Sequence, residues 1–119
     1  VGSEMCIRDS MDMDKKIILP MIKEGYISSW AQYTIQLPND VERSLVQKKL
    51  KEQGIPTMVY YMKPMHQQGA FEETDSSIAE CPVTEEICNR VLSIPIHPYM
   101  TEEQVKTVVN ALKMTLEQV

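Results

Sequence analysis

Across residues 30–61 the spacing of apolar side chains changes period twice, and that restricts the chain to an α/β design. From Trp30 to Leu37, the residues Ala31, Tyr33, Ile35 and Leu37 alternate with Gln32, Thr34 and Gln36. Period-two alternation rich in β-branched and aromatic residues marks a half-buried strand. Pro38 stops it, since proline brings no backbone donor to a ladder. Val41, Leu45, Val46 and Leu50 then recur at helical spacing with charges between them. Asn39 and Glu42 stand at the spacing of a capping box, and Gly54 suits the left-handed turn that closes a helix. Ile55 to Tyr61, dense in Val, Met and Tyr, reads as a second strand. The local expectation is a β-α-β unit.

The flanking chain is less regular. Residues 11–29 carry Pro20, Gly25 and the pair Ser28-Ser29, and read as irregular chain leading inward. Met62 to Cys81 has no periodicity and holds Pro64, Gly69 and Asp75; loops that long inside a compact domain are functional or disordered. Pro82 suits the first position of a helix, to which Val83, Ile87 and Val91 give an apolar stripe. Leu92 to Ile96, broken by Pro95 and Pro98, reads as an edge strand or extended connector. Thr101 and Gln104 form a second capping box, followed by Val105, Val108, Val109, Leu112 and Leu116 as the stripe of a final helix. With 119 residues the chain supports one domain. The expected architecture is a two-layer α/β sandwich, a small mixed sheet with helices mostly on one face.

Several function classes are disfavoured. The net charge is −5, and the densest basic run, Lys48, Lys49 and Lys51, is diluted by Glu42 and Glu52. That is a solvated helix face rather than a phosphate-binding surface, so nucleic acid is not an expected partner. No apolar run reaches membrane-spanning length and no charged-then-apolar leader opens the chain, so no membrane partner and a cytoplasmic location are expected. Cys6, Cys81 and Cys88 are odd in number and not spaced for zinc; they read as reduced thiols. The scattered glycines build no phosphate loop. Glu72-Glu73 and Glu85-Glu86 are adjacent in sequence, and adjacent helical residues do not face each other as an acid–base couple.

His66 stands out by context. It follows the second strand in the irregular stretch, with Tyr60 and Tyr61 before it and Gln67 and Gln68 after it. Binding residues concentrate on loops that project from rigid strands, although a lone loop histidine is often plain surface. His97, between Ile96 and Pro98, invites the same two readings. Residues 1–10, Val-Gly-Ser-Glu-Met-Cys-Ile-Arg-Asp-Ser, resemble a translated sequencing-adaptor string. On that reading they are non-native, and the chain is the C-terminal remainder of a longer protein.

Five segments carry a family resemblance. Ser29-Trp30-Ala31-Gln32-Tyr33-Thr34-Ile35 resembles the strand that opens the small domain of the DegT/DnrJ/EryC1/StrS sugar aminotransferases. Leu50 to Thr57 resembles the family's helix end and second strand. Tyr61 through Pro64, with His66 to Phe71, is similar to its Tyr-Pro-x-Pro-x-His loop, except that Met62 and Gly69 stand where the family has Pro. Cys81 to Glu85 and Leu92 to Tyr99 resemble its closing helix and Leu-Ser-Leu-Pro segment, and Thr101 to Val105 the start of its last helix. The resemblance spans residues 17–119, with 30–119 as the small domain.

The resemblance implies the C-terminal domain of a fold type I enzyme that uses pyridoxal 5′-phosphate. Such an enzyme moves an amino group, generally from glutamate, to a nucleotide-linked keto sugar, in surface polysaccharide or amino-sugar biosynthesis. It also implies a homodimer. The Schiff-base lysine belongs to the large domain, and Lys48, Lys49, Lys51 and Lys63 lack its setting, so no catalytic residue is expected here and the chain alone is expected to be inactive. What carries over is one wall of the substrate site, mapped to Tyr60, Tyr61 and His66. The strand is most similar to the branch acting on 3-keto UDP-linked N-acetyl sugar acids. Two other readings stay open: a stand-alone α/β module binding a ligand or partner, and a non-catalytic paralogue that lost its lysine.

Overall fold

In the computed structural model, residues 7–8 and 17–119 are described. Two strands, β1 (Tyr33–Gln36) and β2 (Val91–Ile94), pair antiparallel. Among the described residues, three full helices accompany them: α1 (Arg43–Glu52), α2 (Pro82–Arg90) and α3 (Glu102–Gln118). Short 3-10 turns at Met65–Gln67, Gly69–Phe71 and Asp75–Ile78 punctuate the long irregular stretch.

The ladder extends beyond its two strands through single bridges. Ile18 exchanges both backbone hydrogen bonds with Gln36, and Met58 does the same with Ser93. The order across the sheet is therefore Ile18, β1, β2, Met58. A mixed sheet was expected; every pairing among the described residues is antiparallel. β1 and the Met58 segment run parallel to each other but flank β2. The expected β-α-β unit thus exists in split form, with a strand from thirty-odd residues downstream inserted at its centre.

Two strand assignments need correction. β2 is the central strand, not an edge or a connector: its prolines lie beyond the paired residues and do not interrupt them. The Ile55–Tyr61 strand shrinks to one bridge. In the register set by Met58 and Ser93, the next hydrogen-bonded pair toward the end of β2 would be Pro56 with Pro95. Neither proline has an N–H to give, so the ladder ends there.

Tyr33 and Ile35 on β1, Leu37 just after it, and Leu92 and Ile94 on β2 turn one face of the sheet into the core. Val46 and Leu50 of α1 and Val105, Val108, Val109, Leu112 and Leu116 of α3 cover that face. The expected α3 stripe is thus fully buried, and its capping box forms: Thr101 N–H donates to Gln104 Oε1 at 2.9 Å, and Gln104 N–H to Thr101 Oγ1 at 3.2 Å. Ala31 leaves the alternation because Trp30 has φ 50, a left-handed value that bends the chain before the ladder begins. Val83 of α2 is exposed, and Cys88 rather than the expected stripe is buried there.

The capping box at Asn39 and Glu42 does not form. A turn closed by Val41 N–H to Pro38 O delays the helix until Arg43, and Glu42 becomes an N-cap with no side-chain cap bond. The other end of α1 is built as expected. Gly54 has φ 78, its N–H reaches Lys51 O at 3.0 Å, and Ile55 N–H reaches Leu50 O at 2.9 Å. Those two bonds are a Schellman closure, with Ile55 and Leu50 both buried beneath it.

Arg43 ties the layers together. Its guanidinium donates to Cys88 O and to Val91 O, capping carbonyls left over where α2 runs straight into β2. Of residues 1–10 only Ile7 and Arg8 are described, and Ile7 is buried in the core. Cys6 lies outside the described residues; Cys81 and Cys88 are free thiols.

Gly54→Ala is expected to lower stability by about 1 kcal/mol through its backbone angle alone, since a Cβ there meets nothing within 4 Å. Gly69→Ala, equally uncrowded but without a left-handed angle, is expected to stay within about 0.5 kcal/mol of the parent. Urea unfolding of the two variants checks the contrast.

Candidate functional site

The face of the sheet opposite the core carries Thr34, which is half-buried, and Ser93, which is buried. Thr34 and Ser93 are partners across the β1–β2 ladder. The backbone groups of Ser93 go to Met58, so Thr34 and Ser93 form a non-hydrogen-bonded pair, the kind whose side chains approach most closely. Their hydroxyls meet at 2.7 Å. A shallow groove of about 220 Å³ runs beside this pair, lined by Gln32, Thr57, Met58, Tyr60, Ser93 and Ile96 among others. A smaller depression adjoins it over Thr34 and reaches Tyr61.

The structure brings Tyr60 and Tyr61 to this groove and leaves His66 away from it. Tyr60 lines both hollows and Tyr61 one of them; their exposures of 52% and 65% leave the rings open to a ligand. His66 lines neither. Its Nε2 lies 2.9 Å from Glu85 Oε1, and its side chain is only 10% exposed. An ionised carboxylate accepts hydrogen bonds and donates none, so Nε2 carries the proton. Glu85 Oε1 also accepts from Cys81 N–H at the start of α2. These two bonds, from His66 first and Cys81 second, hold the Glu85 carboxyl below its ordinary value of 4.5. His97 is engaged locally, with its Nδ1 accepting from Tyr99 N–H.

Gln32, Thr34 and Ser93 were not singled out in the sequence. The polar half of the β1 alternation was the available signal for the first two. Ser93 depends on a pairing register that no local pattern encodes.

A model of the DegT/DnrJ/EryC1/StrS aminotransferase family matches residues 6–113. The chain belongs to this family. A Pseudomonas aeruginosa relative named UDP-2-acetamido-2-deoxy-3-oxo-D-glucuronate aminotransferase is 37% identical over 93 residues, which is 78% of this chain and 24% of that protein. An Acidithiobacillus ferrooxidans relative, named UDP-N-acetyl-3-dehydro-alpha-D-glucosamine 3-aminotransferase, is 37% identical over 98 residues, 82% of this chain and 25% of that one. The chain therefore spans about a quarter of the length of these relatives.

Among solved structures, a family aminotransferase from Brucella abortus superposes with a TM-score of 0.81 at 28% identity, covering 94% of this chain and 29% of that one. DesV of S. venezuelae, solved in complex with a ketimine intermediate, gives 0.87 at 23% identity over 99% of this chain and 31% of that one, which speaks for the fold alone. Members of the family depend on pyridoxal 5′-phosphate. The groove does not fit that cofactor's anchoring site: none of its lining residues is a lysine. It is also smaller and more open than a pocket that encloses a ligand.

Because the folded-state value of Glu85 is depressed, its pairing stabilises the fold above the ordinary value of 4.5 and is lost as pH falls through the folded value. His66→Ala removes the pairing at every pH. The gap in melting temperature between parent and variant is therefore expected to be present above about pH 4.5 and to shrink as pH falls through the lower folded-state value of Glu85. Thermal unfolding across that range measures it.

Proposed function

We propose that this chain is the small-domain portion of a pyridoxal-phosphate-dependent sugar aminotransferase, and that the sheet face opposite its core forms one wall of the nucleotide-sugar site. The observation that carries this reading is the row of Gln32, Thr34, Ser93 and Tyr60 lining two adjoining hollows on the sheet face opposite the core, in a chain matched to the family from residue 6 to residue 113. Amide, hydroxyl and phenol groups are donors and acceptors suited to sugar hydroxyls and phosphate oxygens. The aromatic faces of Tyr60 and Tyr61 add apolar contact for a sugar ring or base.

In this reading residues 30–119 are the small domain, 11–29 lead into it, and 1–10 are adaptor-derived, against which stand the burial of Ile7 in the core and a family match that begins at residue 6. The parent enzyme is a cytoplasmic homodimer that takes its amino group from glutamate and gives it to a UDP-linked 3-keto sugar in surface polysaccharide or amino-sugar synthesis. The two relatives named for UDP-linked 3-oxo and 3-dehydro substrates support that choice. A lysine of the large domain would hold the cofactor in the parent enzyme, so this chain alone is expected to lack transaminase activity. Among the described lysines, Lys48, Lys51 and Lys63 are exposed, and Lys49 donates to Gln118 of α3; none lines the groove.

Mixing the 119-residue chain with pyridoxal phosphate and trapping with borohydride is expected to yield only scattered, substoichiometric labelling by mass spectrometry. A single lysine labelled stoichiometrically, with transamination of glutamate, would overturn the reading.

A further inference from the structure

We infer that His66 is a positioning residue: through Glu85 it fixes the chain that carries Tyr60 and Tyr61 over the groove, rather than touching a ligand itself. This rests on reading the groove as a nucleotide-sugar wall. Met58 is held on its N-terminal side by two backbone bonds to Ser93. Beyond it, among the described residues, Val59 to Lys63 makes no backbone-to-backbone hydrogen bond. Tyr60 and Tyr61 therefore hang between two fixed points. Packing contributes to both, through half-buried Val59 on the near side and buried Pro64 on the far side.

The far point is a short folded unit. Gln67 N–H closes a 3-10 turn on Pro64 O at 3.0 Å, and Gln68 N–H follows on Met65 O at 3.2 Å. That turn sets the direction of the His66 ring, whose Nε2 reaches Glu85 in the first turn of α2. Glu85 is itself anchored by Cys81 N–H, and α2 continues without a loop into β2, the strand that holds Met58. The path closes on itself: Met58, the Tyr60-Tyr61 span, His66, Glu85, α2, β2 and back to Met58. A span pinned at both ends to one rigid helix–strand unit keeps its tyrosines in one place at little entropic cost on binding.

The test compares the parent chain with His66→Ala, Glu85→Ala, the double variant and His66→Gln, whose amide can still donate to Glu85. Ring signals of Tyr60 and Tyr61 are read by NMR without ligand, and then through a titration with UDP-N-acetylglucosamine. Backbone amide signals of Ile35 and Leu92 verify that the sheet stays folded. Both alanine variants are expected to move the tyrosine signals in the same way, the double variant no further, and His66→Gln most of the way back. Affinity is expected to fall roughly threefold to tenfold in each single variant and no more in the double.

Unmoved tyrosine signals in both alanine variants would overturn the inference. So would weakened binding in His66→Ala with binding intact in Glu85→Ala, the pattern of a direct histidine contact. If the tyrosine signals move as expected but UDP-N-acetylglucosamine binds none of the chains, the positioning role stands and the wall reading falls.

Discussion

The structure depends on one residue's backbone. Ser93 spends both its N–H and its C=O on Met58, while its neighbours Leu92 and Ile94 face Ile35 and Tyr33 on the opposite side. That makes β2 the hinge of the sheet: it joins β1 to the Met58 segment, two stretches close in sequence that do not pair with each other. It also decides where side chains go. With the Ser93 backbone turned to Met58, its hydroxyl stands beside that of Thr34, away from the core, and a polar pair sits at the centre of the open face.

The two faces then diverge in purpose. Burial of Tyr33, Ile35, Leu92 and Ile94 against α1 and α3 supplies the driving force of the fold. The opposite face leaves Gln32, Tyr60 and Tyr61 exposed and Thr34 half-buried, with Ser93 buried beside it. The chain spans about a quarter of its relatives' length. An open wall with no lysine along it suits a domain that shapes a site while another part of the enzyme holds the cofactor.

The sequence made the core side plain and the open side obscure, for a physical reason. Period and caps are local signals, so the α3 stripe, its Thr101–Gln104 box and the Gly54 closure were all readable. The central place of β2 is set by long-range pairing, and its flanking prolines suggested an edge until the register put Pro56 opposite Pro95. The Asn39–Glu42 box had the right spacing, yet the turn from Pro38 to Val41 displaced the helix start. Of the candidate residues, Tyr60 and Tyr61, at the end of the expected second strand, came from the family resemblance. The tie between His66 and Glu85 joins two segments nineteen residues apart, which no spacing rule anticipates.

Native-state hydrogen exchange resolved by residue tests the role of β2 most directly. The account predicts that the Ser93 amide exchanges among the slowest in the chain, with Leu92 and Ile94, and that Tyr60 to Lys63 exchange orders of magnitude faster. A Ser93 amide exchanging as fast as Tyr60 would mean that Met58 is not paired to it and that the sheet is not organised around that strand.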